Sequence, residues 1–145
     1  MSGILAYAAK RTLIDRIDTL LASDAVQVAY AFPGDPERLC VYGGGLRFVR
    51  TDVVAEPGLL ALETVTVDIW VRCFRPGDDV RAADESVEDL AGQIVDDLMV
   101  NPKLAGMFSV TSVLAGDAGF PTVSAAPEPA VTAQLLLQIV VEGDL

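Results

Sequence analysis

The stretch Glu63–Phe74 constrains the fold of this 145-residue chain more than any other. Apolar residues alternate with mostly polar ones throughout its sequence, ETVTVDIWVRCF. A period of two places successive side chains on opposite faces, so we predict a long strand over Leu62–Phe74 with one face on a core. The predicted core face carries Val65, Val67, Ile69, Val71 and Cys73, and the other face carries Thr64, Thr66, Asp68, Trp70, Arg72 and Phe74.

Two other segments show the apolar spacing of amphipathic helices. We predict the first helix over Ile4–Ala22 and the second over Arg81–Val100, directly after a Pro76–Asp79 turn. Asp78 and Asp79 precede the second helix, where the helix dipole favours negative charge.

The rest of the chain reads as shorter strands and loops. Gly43-Gly44-Gly45 is interpreted as a hairpin turn with a bulge, and two segments without a clear period, Thr51–Leu60 and Gly116–Pro129, are predicted to be loops. Helices that lie apart from a run of hairpins are typical of an α+β fold, so we predict one domain over residues 1–145, with a mostly antiparallel sheet and two helices packed on one face. The shorter strands are predicted at Val26–Phe32, Leu39–Tyr42, Leu46–Arg50, Phe108–Ala115 and Val131–Val141.

The composition disfavours several classes of function. The chain has 10 Lys and Arg against 21 Asp and Glu, a net charge of −11, and no histidine. Tight nucleic-acid binding needs cationic contacts to phosphates, and histidine is the commonest general base and metal ligand. The acidic pairs of the second helix are interpreted as a solvated face. We therefore predict a protein that is not an enzyme and has no catalytic, cofactor-binding or metal site.

The two cysteines and the ends of the sequence bear on the compartment. Cys40 and Cys73 lie inside apolar strand patterns without CxxC spacing, so we predict free, buried thiols in a reducing compartment. The sequence shows no signal-peptide pattern and no apolar run of membrane-spanning length. We expect the chain to fold in a cytoplasm.

Apolar residues also occur where a lone subunit would expose them. At 52%, the hydrophobic content is high, which indicates either a generous core or apolar surface covered by partner subunits, and we favour the second. Trp70 and Phe74 either pack beneath a helix or anchor a subunit contact. Leu136 and Val140 make the second face of the last strand partly apolar, so a helix or a neighbouring subunit should cover it.

The order of these elements resembles that of the tail terminator (tail completion) proteins of long-tailed bacteriophages. The resemblance is carried by the N-terminal amphipathic helix, the Gly-rich segment, the strand ETVTVDIWV, the helix followed by NPKLAG and the final strand VTAQLLLQIVV. It implies a structural virion protein that forms a ring, usually a hexamer, at the head-proximal end of the tail tube. Such a ring ends tube polymerisation and joins the tail to the head or neck.

The resemblance also implies partners. These are other copies of the chain, the tail tube protein and a head-tail connector or neck protein, while DNA passes through the ring without tight binding. The subunit or partner contacts are expected on the long strand, the turn after it and the two loops: Trp70, Arg72, Phe74, Pro76, Asp78, Asp79, Pro57 and Phe120.

Three alternatives stay open at this point. The first is another phage head-tail connector, head-completion or minor tail protein, which ring symmetry and position in the virion would distinguish. The second is a cytoplasmic enzyme of α+β type, which a deep pocket with perturbed carboxylates would favour. The third is a generic acidic interaction domain.

Overall fold

A computed structural model describes residues 5–55, 58–104, 108–116, 122–124 and 128–144. The chain forms an α+β fold with two helices and a mostly antiparallel six-stranded sheet, as the sequence predicts. The elements are α1 (Ala6–Leu21), β1 (Gln27–Ala29), β2 (Leu39–Ala55), β3 (Gly58–Pro76), α2 (Val80–Val100), β4 (Phe108–Gly116), β5 (Thr122–Ser124) and β6 (Ala130–Asp144).

The long strand β3 lies at the centre of the sheet. The strand order is β1-β2-β3-β6-β4, and β5 also pairs with β6. β3 pairs antiparallel with β2 on one side and with β6 on the other. The short β1 is the exception, because it runs parallel to β2 over Gln27–Ala29.

Both helices pack on the same face of this sheet. The predicted core positions of β3 are buried, with Val65, Val67, Ile69 and Val71 all 0% exposed. They form one hydrophobic cluster with side chains of both helices and of β6, including Leu13, Ile17, Ile94, Leu98, Leu137 and Ile139. Burying each such side chain stabilises the fold by roughly 1.5–3 kcal/mol, so the period of two in β3 decides which face receives the helices.

The hairpin turn predicted at Gly43-Gly44-Gly45 is wrong, although the bulge predicted with it is present. β2 runs through the glycines as one strand, and its pairing with β3 shifts there, from Gly43 opposite Ile69 to Leu46 opposite Val67. This is a bulge, which a glycine run favours as readily as a turn. The absence of a side chain at Gly43 lets it lie against the Tyr30 carbonyl, where a Cβ would be only 2.3 Å away.

Lys10 of α1 holds the bulge from the helix side. Its Nζ donates a hydrogen bond to the Gly44 carbonyl at 2.7 Å and lies 4.1 Å from the centroid of the Tyr30 ring. The side chain is only 7% exposed, and burial lowers the pKa of its amino group. The bulge is therefore built from contacts between α1, the end of β1 and β2.

The predicted loop over Thr51–Leu60 is also wrong for the residues that the structure describes. Thr51–Ala55 extend β2 and Gly58–Leu60 extend β3, and the two strands pair as far as Ala55 opposite Gly58. Backbone pairing continues here without a periodic side-chain pattern, because the ladder needs only the opposing N–H and C=O groups. The predicted loop over Gly116–Pro129 contains β5, and the predicted strand Val26–Phe32 is reduced to β1.

The guanidinium of Arg16 joins the two helices. Arg16 of α1 donates from Nε to the Asp97 carboxylate at 3.0 Å, from Nη2 to the Asp97 carbonyl at 3.2 Å and from Nη1 to the Lys103 carbonyl at 2.9 Å. The Asp97 carbonyl also accepts the Asn101 N–H at 3.0 Å, and Lys103 lies just after α2, so Arg16 fixes α1 against the C-terminal end of α2.

Asp79 caps the start of α2, in the turn where the sequence predicts favourable negative charge. Its carboxylate accepts a hydrogen bond from the Ala82 N–H at 3.0 Å. We expect Asp79→Ala to lower the free energy of unfolding by about 1 kcal/mol, measured by urea denaturation. The control is Asp78→Ala, which removes a neighbouring charge but leaves this hydrogen bond in place. Equal losses for the two variants would mean that charge alone, and not the cap, stabilises the helix.

Candidate protein-interaction surface

The face of the sheet opposite the helices carries the side chains that the sequence analysis singled out on β3. Trp70, Arg72 and Phe74 alternate with the buried core positions and point away from α1 and α2. The interpretation that Trp70 and Phe74 pack beneath a helix is therefore wrong, since both helices cover the other face. We call this surface the helix-free face. It comprises Cys40, Tyr42, Arg47, Val49 and Thr51 of β2, the even-numbered residues Thr64–Phe74 of β3, the even-numbered residues Thr132–Glu142 of β6, and Ser109, Ser112 and Leu114 of β4.

Four aromatic side chains form a patch on this face. Tyr42 lies opposite Trp70 in the β2–β3 register, and the Phe32 ring contacts the Tyr42 ring edge-to-face with centroids 5.1 Å apart. Phe32 is 56% exposed and Phe74 38% exposed. We define Phe32, Tyr42, Trp70 and Phe74 as the aromatic patch. Exposed aromatic groups of this size are enriched in the binding hot spots of protein–protein interfaces.

Trp70 is fixed in place within the patch. Its indole lies against the backbone of Gly44, where an added Cβ would be 3.1 Å from the ring atoms Cδ1 and Nε1. On the other side its register partner in β6 is Leu136, which is 7% exposed. An aromatic side chain held in one position loses little conformational entropy when it binds a partner.

Arg72 lies between Trp70 and Phe74 along β3. Its guanidinium carbon is 6.0 Å from the centroid of the Phe74 ring. Its Nη1 atom is buried and makes no hydrogen bond to any residue that the structure describes. A buried donor without a partner costs about 1–3 kcal/mol.

The charge on the helix-free face is balanced, unlike that of the whole chain. Its described side chains include two arginines, Arg47 and Arg72, and two acids, Asp68 and Glu142. Arg47 and Asp68 form an ion pair at 3.4 Å, and Gln138 donates a hydrogen bond to Asp68 at 3.4 Å. The acidic excess lies on the opposite side, where α2 exposes Asp84, Glu85, Glu88, Asp89 and Asp96.

The predicted contact residues at the turn lie at the end of the same strand. Pro76, the last residue of β3, pairs with Ala130, and the Gly77 N–H donates to the Pro129 carbonyl at 2.7 Å. Asp79 serves as the helix cap, while Asp78 is exposed. Pro57 and Phe120, the other two predicted contacts, lie outside the described residues.

The sequence pattern does not identify Phe32 and Tyr42 as members of this surface. The alternation at Val26–Phe32 signals which residues share a face, but β1 ends at Ala29 and Phe32 lies beyond it. Its contact with Tyr42 depends on the parallel pairing of β1 with β2, and no local pattern reports that pairing.

The described residues also include an open groove and two thiols. The groove has a volume of about 1040 Å³ between Pro36–Leu39 and Cys73–Pro76. Cys40 and Cys73 are free and buried, as predicted, and burial raises the pKa of both thiols. Within the described ranges, no group of three or more Cys, Asp or Glu side chains is placed to hold a metal ion, and no helix has the length and apolar character needed to cross a membrane.

Comparisons with known proteins find matches among solved structures. No family model matches the sequence, and no curated protein matches it. Among solved structures, the chain is similar to one chain of "Virion of native gene transfer agent (GTA) particle". The TM-score is 0.48 and the sequence identity 16%, over 98% of this chain and 100% of that chain. Likeness at this level identifies neither a family nor a function.

Proposed function

We propose that this protein is a structural virion protein of a tailed phage or phage-like particle. In this proposal it is a tail terminator that forms a ring at the head-proximal end of the tail tube, ends tube polymerisation and joins the tail to the neck. The observation that carries the proposal is the helix-free face with its aromatic patch, a fixed surface for another protein. The resemblance of the element order to tail terminator proteins supports the same function.

A ring subunit needs two lateral contacts with its neighbours and at least one axial contact. Heterologous contacts of this kind close into a ring when the rotation between subunits fits. The helices cover one face of the sheet, and Trp70 and Phe74 of the aromatic patch lie in the C-terminal part of β3, which leads into the Pro76–Asp79 turn. We propose that the patch and the turn form the axial contact, with the tail tube protein as the partner.

The charge distribution supports a second part of the proposal, the passage of DNA. Beyond the aromatic patch, the helix-free face carries the Arg47–Asp68 ion pair together with Thr64, Thr66 and Gln138. A channel lined by this part of the face would neither hold phosphates by cationic contacts nor repel them strongly. The acidic surface of α2 would then face outward, where it favours solubility.

Light scattering on the purified protein, followed by negative-stain imaging, tests the proposal. We expect a closed ring, alone or after addition of tail tubes, and decoration of one end of each tube. A ring that binds a neck protein but not the tube would instead indicate another head-tail connector. A protein that stays monomeric in solution and never associates with tubes would overturn the proposal.

A further inference from the structure

We infer that successive copies of this chain pair through the open edges of their sheets, β2 of one copy with β4 of the next. The inference rests on the ring proposed above and specifies its lateral contact. It follows from three properties of the edges, namely which stretches pair with no described segment, the uncharged sequence of β4 and β5, and the directions of the strands.

The first open edge belongs to β2. β1 covers only Cys40–Tyr42, and from Leu46 to Ala55 the structure describes no segment on the side of β2 away from β3. Val49, in the middle of this stretch, is 69% exposed. An edge of this length offers a row of backbone donors and acceptors to another strand.

The second open edge belongs to β4 at the far side of the sheet. Its first residues are covered, because Val110 donates to the Pro102 carbonyl at 2.7 Å and Phe108 accepts from the Leu104 N–H at 3.0 Å. From Thr111 to Gly116 no described segment pairs with the outer side of β4. β5 continues along the same side of β6, opposite Ala130–Thr132.

The β4 edge lacks the features that keep edge strands apart. Proteins commonly protect such edges with charged side chains or proline. β4 (FSVTSVLAG) and β5 (TVS) contain neither, although the chain has 21 acidic and 10 basic residues. An uncharged edge in so charged a protein indicates a strand that is covered by a partner strand.

The strand directions make the two edges match. β2 runs antiparallel to β3, β3 to β6, and β6 to β4, so β4 runs antiparallel to β2 within one copy. A rotation about a ring axis carries one copy onto the next without reversing its strands. β4 of one copy therefore meets β2 of the next in the antiparallel orientation, and the alternation continues around the ring.

One exposed apolar side chain on each edge suits the same pairing. Val49 of β2 and Leu114 of β4 are 69% and 62% exposed, and both belong to the helix-free face. Edge pairing directs both toward the same face of the joined sheet, where apolar cross-strand neighbours stabilise each other. A two-fold dimer through β2 alone would leave the uncharged β4 edge open in each copy.

Disulfide cross-linking in the full-length protein tests this inference. One cysteine is placed at Arg47, Val49 or Thr51 and a second at Ser112, Leu114 or Gly116, and every combination is made because the register between copies is open. We expect at least one double variant, assembled and then oxidised, to give a ladder of covalent oligomers. The corresponding single variants should give no linked species. The wild-type chain sets the background, since Cys40 and Cys73 are 0% and 4% exposed.

Two further outcomes separate this contact from the ring itself. A ring by light scattering in which no double variant links, or in which the single Val49→Cys variant links to itself, overturns the edge pairing alone. A protein that remains monomeric even on tail tubes overturns the proposed function and the edge contact together. Amide hydrogen exchange gives an independent readout, because pairing should slow exchange at least tenfold at some amides of residues 46–55 and 111–116.

Discussion

Replacing Gly43 by alanine is expected to destabilise the fold by about 3 kcal/mol or more, the upper end of the cost of overpacking a filled site. The added Cβ would lie 2.3 Å from the Tyr30 carbonyl oxygen and 2.7 Å from Cε of Lys10. The lysine chain can move, but the carbonyl belongs to the backbone just after β1. Relief would require β1 to move away from β2, where the two strands pair over three residues only. Urea denaturation followed by circular dichroism measures the loss.

The neighbouring glycines provide matched controls for this substitution. An alanine Cβ at Gly45 would have only Asp68 Oδ2 as a near neighbour, at 4.0 Å, so we expect Gly45→Ala to change stability by less than about 1 kcal/mol. Gly44→Ala should fall between the two, because its Cβ would press on the Trp70 ring at 3.1 Å. Equal unfolding midpoints for the Gly43 and Gly45 variants would show that the close approach at Gly43 does not constrain the fold.

The sequence predicts the layered core because burial imposes a period on the side chains. The alternation in β3 and the helical spacing in α1 and α2 each report one buried face, and those faces meet in the structure. Thr51–Ala55 show the opposite case. They continue β2 because β3 supplies backbone partners. A hairpin arm that is held by backbone hydrogen bonds does not require alternating apolar and polar side chains, so the sequence does not show it.

The candidate surface was only half predictable for a related reason. The alternation places Trp70 and Phe74 away from the core positions of β3, but only the packed structure shows that both helices cover the core face. Which β2 side chains lie on the helix-free face depends on the bulge. Because Gly44 and Gly45 are inserted opposite Asp68, Tyr42 and Val49 share the helix-free face although one has an even and the other an odd number. When the glycine run is interpreted as a turn, this change of face along β2 is not apparent from the sequence.

The second large effect is expected at the aromatic patch, in binding to the tail tube. Trp70→Ala should weaken the affinity of the ring for tube ends by at least about 30-fold, equivalent to about 2 kcal/mol, as for a buried aromatic hot spot. The mass of the ring itself should not change, because the inferred lateral contact lies at the edges of the sheet. Co-sedimentation of the protein with tail tubes measures the affinity, and light scattering measures the mass.

Two companion variants make this prediction decisive. Met99→Ala is the control, since Met99 is 69% exposed on α2, and truncating it removes apolar surface from the helix side only. Trp70 also packs on Gly44, so its loss can lower stability. Phe74→Glu avoids this complication, because Phe74 is 38% exposed and a carboxylate there stays solvated in the free ring. If the Phe74 variant forms rings that bind tubes as tightly as the wild type, the patch is not the tube contact. The partner must then engage the turn or another surface.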